Sequence, residues 1–193
     1  MKNKLMKLEI AGLFFTIVMS VFFQNLYALC NREVIGIIFG SVNDSIWEIT
    51  KTVLLSYLIW SIIEILLLRM PFKRFVTVKV ITLYTLGIFH IMTSLVLSGF
   101  NPTAHSLSDF TSAIVCTGFA GFLTLRLMFS RFEIQNHFAI AFFLLLLFGA
   151  VYCSFTPFPP HTFIFMDRTN GLYGIIPEYL DSGAIALDTI YYI

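Results

Sequence analysis

Residues 41–69 read SVNDSIWEITKTVLLSYLIWSIIEILLLR, the chain's densest polar cluster running directly into an apolar segment that Arg69 closes. A hydrocarbon core of about 30 Å takes roughly 20 predominantly apolar residues in a helix, and the stretch of about 50–69 is long enough to serve. Ser45 and Glu48 stand three residues apart at its head, the spacing of a capping box. The stretch therefore reads as a transmembrane helix whose start lies at a water boundary and carries polar side chains.

The rest of the composition agrees. Of the 193 residues, 58% are hydrophobic and 12% charged, whereas a soluble domain carries roughly 25% charged residues. Four further apolar runs, about 8–29, 76–99, 109–130 and 138–155, are each long enough to cross a bilayer. The fold class predicted is an all-α integral membrane bundle of five transmembrane helices over residues 1–156. A segment from 157 to 193 follows, predicted as a short extracytoplasmic loop or hairpin. The first run, preceded by Lys2, Lys4 and Lys7, competes with a secretory leader. Its apolar core exceeds the usual ~7–15 residues and no A-x-A site follows, so a retained helix is predicted. Bulky Leu29 beside Cys30 argues against lipoprotein cleavage. Val34 to Gly40 is too short to span and is expected in the interface or between helices, Gly36 and Gly40 permitting a tight path.

Orientation follows from the cations. With the N-terminus inside, Lys2, Lys4, Lys7, Arg69, Lys73, Arg74, Lys79, Arg126 and Arg131 face inward, and Arg32, Lys51 and Arg168 face outward. That nine-to-three split is what the positive-inside rule expects, and it predicts N-in, C-out. Small and polar residues mark packing faces: Gly12, Thr16, Ser20 and Gln24 on the first span, and Ser112, Cys116, Ala120 and Thr124 beside Ala113, Thr117 and Gly121 on the fourth. Lipid tails give no hydrophobic drive for helix association, so such faces predict interior positions for these two helices. After Pro160, Asn170-Gly171 between apolar flanks predicts a hairpin turn, and Glu178, Asp181 and Asp188 make the last stretch acidic.

Six residues are candidates for binding: Asn43, Glu48, Lys51, His90, His161 and Asp167. For the first three the structural alternative is a cap, with Ser45 and Glu48 closing the helix end, Trp47 anchoring at the interface, and Lys51 paired to Glu48 or lying on Trp47. His90 falls near the middle of the third span, where an ionisable group is a functional hypothesis by default; a neutral histidine bonded to a neighbouring helix is the structural alternative. Glu64 is expected to reach the headgroups or Arg69. His105 to Asp109 is expected as a polar loop. His105, His161 and the nearby carboxylates come from separate loops without ligand spacing, so no metal site is assigned. Cys30, Cys116 and Cys153 form neither a disulfide framework nor a zinc pattern. No catalytic or phosphate-binding motif occurs, no cofactor is implied, and a net charge of +1 offers no nucleic-acid surface. The partner predicted is the lipid bilayer, with a small solute or ion; a homo-oligomer or a membrane partner subunit is left open.

The segment Asn43-Asp44-Ser45-Ile46-Trp47-Glu48-Ile49-Thr50-Lys51 resembles the Asn-Glu-Ser-x-Trp-Glu-His-x-Lys element of an uncharacterised family of small polytopic membrane proteins from Clostridia-like bacteria. Glu9-Ile10-x-Gly12 with Leu26-Tyr27 is similar to that family's first helix. Pro159-Pro160, Phe165, Asp167 and Gly171-x-Tyr173-Gly174-Ile175 are similar to its closing element. The chain departs from the pattern at Gln24 and Ile49, where the family often has histidine, which weakens any metal site built on them. The resemblance implies a bacterial plasma-membrane protein whose 43–51 and 160–174 elements meet on the outer side. Three function classes stay open: a component binding or translocating a small solute or ion through an outer polar mouth, a structural or accessory subunit, and an enzyme acting on lipid-linked or envelope substrates through Glu48, His161 or Asp167.

Overall fold

A computed structural model describes residues 2–100 and 105–176. Its helices are α1 (Lys2–Leu29), α2 (Val34–Phe39), α3 (Ile46–Leu67), α4 (Phe72–Phe100), α5 (His105–Met128) and α6 (Phe138–Ser154), with a 3-10 turn at Ile134–His137. All but α2 belong to segments long and apolar enough to cross a membrane, in agreement with the five expected spans. They run alternately up and down. The end holding Lys2 and the α3–α4 and α5–α6 turns is called basal here, and the end holding residues 30–45 and 155–176 apical. His105 to Asp109, expected as a loop, is already the first turn of α5. The acidic stretch with Glu178, Asp181 and Asp188 lies outside the described residues.

Polarity is distributed inside out. Exposed positions include Phe14, Leu66, Ile88, Val115 and Phe143, while Glu9, Thr16, Thr50, Lys51, Glu64, Lys79 and His90 are buried. Such an apolar exterior is stable only against hydrocarbon. Chemistry follows from this, because the interior holds polar groups that must find one another.

Of the expected packing faces, Gly12, Thr16 and Ser20 on α1 are buried with Gln24 half-buried, and the two neighbouring rows from Ser112 to Thr124 on α5 are buried throughout. The central helix, however, is α3, with 61% of its apolar window buried against 28% for α1 and 39% for α5. Small residues let α1 approach α3 closely on one face; they do not make it interior all round. A Cβ at Gly12 would sit 2.2 Å from Trp60 Nε1. Gly12→Ala is therefore expected to destabilise by about 1–3 kcal/mol through overpacking, read as a lower unfolding midpoint in detergent. The short α2 folds back on the end of α1, and a Cβ at Gly36 or Gly40 would come within 2.8 Å of Tyr27 backbone atoms.

At the basal end Arg74 donates to the carbonyls of Leu127, Met128 and Ser130, closing the C-terminus of α5. One apolar cluster, Leu5, Leu68, Phe75, Val78, Met128 and Ile134, packs beside it. A second, with Val53, Leu54, Tyr57, Leu83, Leu86, Cys116 and Ala120, fills the middle of the bundle.

Candidate functional site

At the head of α3, Ser45 has extended backbone angles and its Oγ accepts from the Glu48 N–H at 3.3 Å. This is half of the expected capping box. The other half is replaced: the Ser45 N–H donates to Asn43 Oδ1 at 3.0 Å, which frees the Glu48 carboxylate. Glu48 accepts instead from the Val42 N–H at 3.1 Å, the Thr156 hydroxyl at 2.7 Å and the Lys51 ammonium at 2.7 Å. Lys51 also donates to Thr156 Oγ1 at 2.8 Å. With Lys51 at 0% and Glu48 at 2% exposure, this is a buried, neutral ion pair closed by a hydroxyl. Lys51 lies over the Tyr152 ring, 5.6 Å from its centre, rather than on Trp47.

Residues 155–176 form a strap over this end. Trp47, expected as an interfacial anchor, is buried under it, its ring clustered with those of Phe155 and Phe165 and its backbone N–H donating to the Ile164 carbonyl at 3.0 Å. Asp167 organises the expected turn: its Oδ1 accepts from the Thr169 and Asn170 amides and its Oδ2 from the Asp44 amide, each at 2.8 Å. Gly171 takes a φ of 71°, and the pairing is a single bridge between Met166 and Tyr173 rather than a ladder. Asn43 Nδ2 donates to the Gly174 carbonyl at 2.8 Å, so the 43–51 and 160–174 elements do meet.

Arg168 reaches from the strap to α5. It contacts Asp44 Oδ1 at 3.2 Å and Asp109 Oδ2 at 2.5 Å, and its Nε donates to the Asp44 carbonyl at 2.8 Å. Burial pushes the Asp44 carboxyl up from its ordinary value, against the downward pull of Arg168. Beside these groups lies a cavity of about 310 Å³ between α1, the 41–44 turn and α5. Ser20, Gln24, Ser41, Asn43, Asp44 and Asp109 supply its polar lining. A cavity of that size suits a small ligand, and its two carboxylates share one arginine.

The six candidates divide. Asn43, Glu48, Lys51 and Asp167 come together, three of them tied directly to strap residues. His90 is fully buried with Nδ1 2.9 Å from Thr50 Oγ1, a bond to a neighbouring helix; its Nε2 has no partner. His161 stands apart, exposed, its ring stacked on Tyr173 at 4.8 Å. Asp44, Asp109 and Arg168 matter more than their sequence positions indicated. Among the described residues no group of three or more His, Cys, Asp or Glu could hold a metal ion.

A second polar cluster lies toward the basal end. Lys79 Nζ is 2.9 Å from Glu9 Oε1 and 2.5 Å from Glu64 Oε2. Glu64 thus turns into the bundle, against the expectation that it reaches the headgroups or Arg69. Lys79 is no loop cation, nor is Lys51, and setting both aside leaves eight basal cations against two apical ones. A separate cavity of about 160 Å³ is lined by Lys79, Tyr57, Ser61 and apolar side chains of α3, α4 and α6. It shares no lining residue with the apical cavity, and the central apolar cluster extends from Ala113 at one to Tyr57 and Leu83 at the other.

No curated protein and no solved structure matches the chain. Residues 1–175, nearly its whole length and every helix described above, match the family of unknown function DUF6512, and the chain belongs to that family.

Proposed function

We propose that the chain is a multi-pass protein of the bacterial plasma membrane that binds a small cationic solute in the apical cavity, as a binding or transport component. The observation that carries this reading is the lining itself. Asp44 and Asp109 outnumber Arg168, and Ser20, Gln24, Ser41 and Asn43 surround them with neutral hydrogen-bonding groups. A concave site with excess negative charge concentrates cations. The excess of basal cations supports an N-in orientation, with the cavity facing outside.

Thermal unfolding of the purified chain at low ionic strength, with sodium, potassium, choline and putrescine as probes, tests the reading. One of them is expected to raise the midpoint saturably, a ligand at a hundred times its Kd adding about 2.7 kcal/mol. Asp44→Asn is expected to weaken that shift several-fold, and no shift from any probe would overturn the proposal. Because the Asp44 carboxyl is raised above the ordinary value of about 3.9, it takes up its proton before a free aspartate does as the medium is acidified. Cation binding is therefore expected to weaken on acidification, starting above that value.

A second reading, a structural or accessory subunit, rests on a different observation. The Glu48–Lys51–Thr156 cluster is closed on itself and Asp167 is taken up by the Asp44, Thr169 and Asn170 amides, so both offer a ligand little. For an enzyme, His161 would have to join Glu48 and Asp167, whereas it is exposed and stacked on Tyr173.

A further inference from the structure

We propose that Glu9, Glu64 and Lys79 form a one-proton exchange site within the bundle, in which the two carboxyls share a single exchangeable proton beside the lysine ammonium. The argument begins with charge. Glu9 from α1, Glu64 from α3 and Lys79 from α4 are 7%, 0% and 5% exposed. Fully ionised, they would carry one net negative charge in a span surrounded by lipid. An uncompensated charge there is strongly disfavoured, and the ordinary remedy is neutralisation by a proton. When two coupled carboxyls face one cation, the proton belongs to the pair rather than to either residue.

The contacts leave room for that proton. Lys79 donates to Glu9 Oε1 at 2.9 Å, whereas Glu64 Oε1 is buried with no hydrogen-bond partner. An unpartnered carboxyl oxygen at full burial is where an added proton costs no existing bond. The groups facing the site from each helix are few. Tyr57 of α3 places its hydroxyl 3.5 Å from Lys79 and hydrogen-bonds to Thr82 of α4 and Thr124 of α5, neither of which is charged. From α5 comes Gly121, where a Cβ would lie 3.3 Å from Glu9 Oε2, and from α6 comes Leu145 across the small cavity. Lys4 is occupied with the Leu67 carbonyl at the helix end, and Arg74 with the α5 terminus. No second cation from these groups supplies the missing positive charge. The small cavity borders Lys79 on the side away from the two carboxyls, with Tyr57 and Ser61 as its other polar neighbours.

The step is proton binding alone: a carboxylate oxygen takes a proton from hydronium, leaving water, to give a neutral carboxylic acid, and returns it. Infrared spectroscopy of the full chain reconstituted in lipid at neutral pH tests this. A C=O band of a protonated carboxyl is expected, shifting when the medium is exchanged for D2O. Glu9→Gln and Glu64→Gln, each alone, leave a neutral pair of one carboxylate and Lys79, so each is expected to abolish the band while the chain still folds. Three results would each overturn the proposal: no such band in the parent chain, a band that survives in either single variant, or a band unmoved by D2O. Cation binding in the apical cavity is read separately by thermal shift, so the two proposals fail independently.

Discussion

Lys79→Met is expected to be among the most damaging single substitutions in this chain. Methionine keeps most of the side-chain volume but leaves Glu9 and Glu64 facing each other without a cation, at 7% and 0% exposure. Breaking a buried ion pair by removing one partner costs about 3–5 kcal/mol, a large share of a typical stability of roughly 5–15 kcal/mol. The folded fraction should collapse, measured as the yield of monodisperse protein in mild detergent and as loss of a cooperative melting transition. The cost lies in the negative charge left without its cation rather than in lost packing. Adding Glu9→Gln and Glu64→Gln to Lys79→Met should therefore recover much of it, because the triple variant is neutral throughout. A Lys79→Met chain that melts with its parent would mean the three groups are solvated.

How much of this was legible beforehand depends on the kind of signal. The five spans were readable because a run of about 20 apolar residues has few other uses, and the packing faces because small residues recur every fourth position on α1 and α5. The meeting of the 43–51 and 160–174 elements came from the resemblance, and the hydrogen bonds of Asn43 and Asp167 give its physical basis. Charge pairing was not legible. Glu9, Glu64 and Lys79 are far apart in sequence, each near the basal end of its helix, where a charged side chain ordinarily reaches for the headgroups. Nothing local says that three such residues share a face. Charges inside the expected spans, at Glu9, Glu64 and Lys79, were the available clue, since each needs a partner from another helix. Thr156 was invisible for a similar reason: a threonine after an apolar run carries no mark of receiving Lys51 and serving Glu48. The capping box was read from its spacing, but its acidic member had a stronger demand elsewhere. A lysine three residues on and a hydroxyl from the strap outcompete one backbone N–H for Glu48.

Those contacts lead to the second large effect. Lys51→Met should leave the Glu48 carboxylate with only the Val42 N–H and the Thr156 hydroxyl, in a place with no water to screen it. The expected loss is again about 3–5 kcal/mol, but its location differs. Thr156 is the entry to the strap, and Trp47 packs against Phe155 and Phe165, so the strap should loosen before the bundle does. Trp47 fluorescence and protease cleavage near Arg168 should report that loosening at temperatures where helical circular dichroism is unchanged. Glu48→Gln with Lys51→Met removes both charges and should cost less than Lys51→Met alone; the difference is the coupling energy of the pair. The same variants separate the two readings of function. The pair lines neither cavity, so Glu48→Gln should lower strap stability while leaving the cation-induced thermal shift of the apical cavity in place. A shift abolished by Glu48→Gln, in a chain whose strap remains closed by both probes, would put the ligand at the head of α3 rather than between α1 and α5.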